Sequence, residues 1–161
     1  MIHNKRAYVR RFGGVYEHSP WVAEQAFELG PPDPTNLPAV MRQIVEESGQ
    51  EAQLALLRAH PDLAGKLAKS GTLTTESTSE QASAGLDQCT EAEFAEFTAL
   101  NERYKTRFGF PYILAVRGRH RTEILENFRE RVDNTPEVEF REALDQVHQI
   151  AALRFEALFA G

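Results

Sequence analysis

The sequence holds one cysteine, Cys89, among its 161 residues. A lone thiol excludes an internal disulfide framework and a multi-cysteine metal site, and a reducing cytoplasmic setting is the simplest expectation. Long apolar runs are missing too. None approaches the roughly 20 residues of a membrane-spanning helix, and the opening MIHNKRAYVRRF has basic residues with no apolar stretch after them, so neither a membrane anchor nor a secretory leader is expected. Positive charge is in deficit: 18 Lys and Arg stand against 24 Asp and Glu, for a net charge of -6. That balance argues against nucleic acid or an anionic membrane as the main partner, and an anionic ligand would need a local cationic pocket. No repeat, linker or low-complexity tract divides the chain. Its length and 42% hydrophobic content suit one domain over residues 1–161.

What is present is helical punctuation. Ser19 followed by Pro20 predicts a cap and first turn for WVAEQAF, which Gly30, Pro31 and Pro32 close. After PPDPTNLP, the stretch AVMRQIVEES puts Val40, Ile44 and Val45 on one side, and Gly49 separates it from the next helix. Beyond the polar loop KSGTLTTE, Ser77 with Glu80 and Thr90 with Glu93 have capping-box spacing, and each pair predicts a helix start. The Thr90 helix carries Phe94, Phe97 and Tyr104 and ends near Phe108 and Gly109. The apolar run FPYILAV, residues 110–116, fits a short strand or an extended link; a single strand would have no partner, so a link is expected. Two more helices follow, one from about Thr122 with Ile124, Leu125, Phe128 and Val132, the other capped by Thr135 and Pro136. The fold class is all-α, a compact bundle of about seven to nine helices.

Three residues stand out by their setting. In RAHPDLAGK, Pro61 discourages helical angles in the residue before it, so the helix bearing Leu54, Leu56 and Leu57 should end near Ala59, leaving His60 on its last turn with an inward ring. A helix C-terminus favours an imidazolium without any chemistry, so a core or capping histidine is one reading and a working one the other. Glu80 could merely close the capping box of Ser77. Arg154 falls within the apolar stripe of the last helix, Phe140, Leu144, Val147, Ala151 and Leu158, at ~100° per residue. An arginine there must pair, reach the surface or meet a ligand. His3, His18, His120 and His148 lack any metal-ligand spacing. A metal site from His60, Asp62 and Glu80 fits no recognised pattern, so none is expected.

In order along the chain, GGVYEHSPWVAE (13–24), HPDLAGKLA (60–68), LTTESTSEQASAGL (73–86), FGFPYILAVRG (108–118) and ALDQVHQIAALRFEAL (143–158) resemble the 2-oxo-4-hydroxy-4-carboxy-5-ureidoimidazoline (OHCU) decarboxylases. The resemblance implies an all-helical enzyme, usually a homodimer, that needs no cofactor or metal. Its substrate is a small anionic molecule, and its reaction is the last step from urate to (S)-allantoin. Carried onto this sequence, it implies His60 as the catalytic histidine and Glu80 as its acidic partner. Pro61, Ser77, Gln81 and Arg154 would line the substrate, and the segment of Phe110, Tyr112 and Ile113 would offer backbone groups to the ring. Two other readings compete: a helical binding module that keeps the fold without turnover, and a metal-dependent hydrolase using His60 and Asp62.

Overall fold

A computed structural model of the chain describes residues 4–30, 33–64 and 73–160, and among these it has eight α-helices and no strand. They are α1 (Lys5–Phe12), α2 (Trp21–Glu28), α3 (Leu37–Glu47), α4 (Gln50–Arg58), α5 (Thr75–Ser83), α6 (Glu91–Phe108), α7 (Arg121–Arg131) and α8 (Pro136–Ala160). They group into two compact units, one formed by the chain up to Ala59 together with the stretch from Val147 onward, the other by His60–Gln146. Pro31, Pro32, the GKLA of HPDLAGKLA, the first four residues of KSGTLTTE and His3 lie outside the described residues.

In the first unit, α1 is a helix that the punctuation above did not predict; the Asn4 side chain accepts from the Ala7 N–H at 3.2 Å and so satisfies a donor at its start. Ser19 does not cap α2. Its hydroxyl donates to the Glu17 carbonyl, and Pro20 occupies the cap position with no side-chain bond. Helix α3 begins at Leu37, two residues before Ala39, because Pro38 is tolerated in a first turn where the N–H has no helical partner. Its buried stripe is Leu37, Met41, Ile44 and Val45, with Val40 only half-buried. Gly49, at φ 93°, makes the break before α4. His148 is a satisfied core histidine. Its Nε2 faces the Glu46 carboxylate at 3.0 Å, an acceptor that requires a proton on that nitrogen, and its Nδ1 pairs at 2.8 Å with the Tyr16 hydroxyl, whose pKa burial pushes up.

In the second unit, Thr90 and Glu93 complete the expected capping box, with bonds of 2.9 and 3.1 Å. Gly109, at φ 79°, ends α6 in the left-handed conformation. Helix α7 starts one residue early, at Arg121, because the His120 ring accepts from the Thr122 N–H. Helix α8 starts at Pro136 as expected. Residues 110–116 are neither helix nor strand and are buried throughout, which makes them the extended link. A buried link without a ladder must satisfy its backbone elsewhere. The Ala115 N–H donates to Gln146 Oε1 at 2.9 Å, and Arg131 Nη1 donates to the Ile113 carbonyl at 2.6 Å. Arg131 is itself paired with Glu139, Nη2 to Oε2 at 2.9 Å, and Tyr104 and Asn134 also donate to that carboxylate. Burial alone would lower the pKa of Arg131; the Glu139 hydrogen bonds and the surrounding acidic groups together outweigh this and leave it raised.

Candidate functional site

Helix α4 stops at Arg58 with Ala59 as its cap, so His60 stands just past the helix rather than on its last turn. It is nonetheless 8% exposed, with its side chain inward as the leucine spacing suggested. The loop that follows is tied to two helices. From α5, Gln81 Oε1 accepts from the Ala64 N–H at 3.0 Å, and its Nε2 donates to the Asp62 carbonyl at 3.3 Å. From α6, Asn101 Nδ2 donates to the Leu63 carbonyl at 3.0 Å, and Lys105 Nζ donates to Asp62 Oδ2 at 2.8 Å. Ala64 sits at φ 52°, a conformation that costs a non-glycine residue about 1–2 kcal/mol, and the Gln81 bond to its N–H helps to hold it there.

Helix α5 presents the remaining candidates. It starts at Thr75, with Thr74 as its cap: the Thr74 side chain accepts from the Ser77 N–H at 3.1 Å. The expected helix start at Ser77 is therefore wrong by three residues, and Glu80 is in the second turn, where it has no capping box to close. The earlier threonine wins because Thr74 offers a hydroxyl before the helix begins. Ser77, Glu80 and Gln81 follow at i, i+3 and i+4 on one face. Gln81 binds the loop after His60, so that face is the one turned to it. Ser77 and Gln81 are 5% and 4% exposed, and Glu80 is half-buried.

The other expected residues divide. Phe110, Tyr112 and Ile113 are in the same unit as His60, but their side chains belong to the core. Tyr112 stacks on Phe128 with ring centroids 3.8 Å apart and donates its hydroxyl to Asn127. Phe110 meets Tyr104 and Phe140 edge to face. Of the backbone groups of this segment, the Ile113 carbonyl already accepts from Arg131. Arg154 is in the first unit, 6% exposed, and donates to the Gly14 carbonyl at 2.9 Å and to Glu17 Oε2 at 3.4 Å. Of the readings open to it, pairing with a core carboxylate is the one observed. Pro61 is half-buried beside His60. Among the described residues no three His, Cys, Asp or Glu side chains form a metal-ligand set, and the Asp62 carboxylate is turned to Lys105.

The site also contains residues that the sequence reading missed. Asn101 lies four residues after Phe97 and three before Tyr104, so a polar amide on the buried face of α6 was the available signal. Arg131 carried the same signal as Arg154, at Phe128 plus three and Ile124 plus seven.

Comparison with known proteins gives a consistent picture. The family described as OHCU decarboxylase matches residues 3–156. The 2-oxo-4-hydroxy-4-carboxy-5-ureidoimidazoline decarboxylase of Haloferax volcanii is 43% identical over 155 residues, which cover 96% of this chain and 90% of that protein. Among solved structures, an (S)-allantoin synthase superposes with a TM-score of 0.74 at 34% identity, over 96% of this chain and 50% of that longer one. An OHCU decarboxylase solved in the presence of (S)-allantoin gives 0.70 at 25% identity, over 88% of this chain and 92% of that one.

Proposed function

Because the chain belongs to the OHCU decarboxylase family, we propose that it converts 2-oxo-4-hydroxy-4-carboxy-5-ureidoimidazoline to (S)-allantoin and carbon dioxide in urate degradation. The observation that carries the site assignment is the pair of hydrogen bonds between Gln81 and the loop after His60. It ties the helix face that carries Ser77 and Glu80 to the loop that follows the buried His60, which supports a common site.

The chemistry suits these groups. Carbon 4 of the substrate bears a hydroxyl and a carboxylate next to a C=N bond. When the bond to the carboxylate breaks, its electron pair forms a C=C bond to carbon 5 while the C=N pair moves onto nitrogen, which takes up a proton. The hydroxyl then loses its proton as the carbonyl forms, and carbon 5 gains one on a single face. One proton is consumed overall for each carbon dioxide released. His60 exchanges the hydroxyl proton, since an imidazole titrates near operating pH. Glu80 orients that ring or stabilises its protonated form, and Ser77, Pro61 and the backbone of Phe110, Tyr112 and Ile113 line the substrate. The substrate-binding role of Arg154 is proposed on the family resemblance alone. No cofactor is required, because the adjacent unsaturation accepts the electrons. The homodimer, the cytoplasmic location and the working of residues 1–161 as one domain belong to the same proposal, the last supported by one family match running through both units. Among the described residues no helix is long and apolar enough to cross a membrane.

The test is to supply the freshly generated urate-oxidation product and follow circular dichroism. Spontaneous decay gives racemic allantoin, so enzyme-dependent optical activity is the expected result. Racemic product formed at the uncatalysed rate would overturn the proposal.

A further inference from the structure

The loop after His60 is held by four hydrogen bonds in three consecutive residues, Asp62 to Ala64. Two come from Gln81. The other two come from Asn101 and Lys105, which are one turn apart on α6 and so point the same way. Their characters differ. Asn101 is 3% exposed and grips a main-chain carbonyl; its Oδ1 is buried with no hydrogen-bond partner among the described residues. Lys105 is 46% exposed at its side chain and holds a carboxylate. A buried amide with half of its capacity unused is a costly residue to keep for packing alone, because an apolar side chain of the same size would avoid an unsatisfied oxygen.

We infer that Asn101 and Lys105 are positioning residues for His60: they fix the loop of Asp62, Leu63 and Ala64 and thereby hold the imidazole in its reactive geometry. The inference rests on the role of His60 proposed above. Proline at 61 stiffens the connection, since its φ is locked, so the set of the anchored residues is transmitted to the histidine with little slack. A displacement of about 1 Å at a reacting group can lower rate by about a hundredfold. Ground-state affinity depends on other contacts, so the loss should fall on kcat.

The experiment measures kcat and KM for the intact protein carrying Asn101→Leu, Lys105→Met or Lys105→Arg, with His60→Asn as control. Asn101→Leu should lower kcat by about tenfold or more with KM changed less than about twofold, rates being corrected for folded fraction. Lys105→Met should lower kcat several-fold, and Lys105→Arg, which keeps the charge and donors, should restore most of it. If the leucine variant melts lower but its folded fraction turns over at the wild-type kcat, Asn101 is structural only and the inference is overturned. Should that variant fail to fold, the exposed Lys105 pair decides, and full kcat in Lys105→Met overturns the inference. An inactive wild type, or an active His60→Asn, would instead overturn the proposed function or the role of His60.

Discussion

At the scale of the residue, His60, Glu80 and Arg154 each had an ordinary structural explanation, and the structure treats the three differently. His60→Asn should abolish nearly all turnover and leave the helical circular dichroism intact; retention of more than about a tenth of the rate, a loss under ~1.4 kcal/mol, would end its role as base. For Glu80 the capping explanation is gone, because Thr74 caps α5. Thr74→Ala should therefore cost about 1 kcal/mol of stability, while Glu80→Gln should leave the melting temperature near wild type and depress the rate. Arg154 moves the other way. Its bond to Glu17, itself 2% exposed, means that Arg154→Met breaks a buried ion pair and should cost about 3–5 kcal/mol in a urea titration. Replacing Glu17 by leucine in the same protein should recover much of that loss, since apolar replacement of a whole buried pair is often neutral. The partner was invisible beforehand: the stripe in α8 marks Arg154 as buried, but nothing in GGVYEHSP says that Glu17 folds against it. Periodicity identifies a charge that needs a partner; only tertiary structure supplies the partner.

At the scale of the element, caps were legible where the side chain and its target lie within one turn. Thr90 with Glu93 was read correctly for that reason, and Ser77 with Glu80 was misread because Thr74 competes for the same helix start three residues earlier. The Thr90 box makes a pH prediction. The Thr90 N–H, then Arg121, hold the Glu93 carboxyl below its ordinary value of 4.5. A lowered native pKa means that the unfolded chain binds the proton first on acidification, so stability falls with pH. The contribution of Glu93 is complete above about pH 5 and disappears as pH falls through its native value. The stability difference between wild type and Glu93→Ala should accordingly shrink through acid titration and level off below the native pKa of Glu93. The link of residues 110–116 was legible as an extended apolar run, but its means of support was not, because Gln146 and Arg131 reach it from 31 and 18 residues away. Gln146→Leu would leave the Ala115 N–H buried without its acceptor, and chemical denaturation should show a loss of about 1–3 kcal/mol.

At the scale of the whole molecule, composition and helical punctuation were enough for the all-α class, since no run of strand-like sequence had a second run to pair with. The division into two units was not legible, because no linker composition marks Ala59 or Gln146 and the second boundary falls inside the continuous helix α8. That division has a consequence for the order of events during synthesis. The unit His60–Gln146 is a single stretch, whereas the other joins the first part of the chain to residues made after Gln146. Its tying contacts are among the longest in sequence: Tyr16 to His148 spans 132 residues, and Glu17 to Arg154 spans 137. At a ribosomal rate of about 5–20 residues per second, Tyr16 and Glu17 wait roughly 7 to 27 seconds for their partners. Over that interval the nascent chain carries Phe12 and Tyr16 without the half of α8 whose Phe155, Phe159 and His148 rings they meet, and a holdase that grips exposed aromatic segments has its opportunity there.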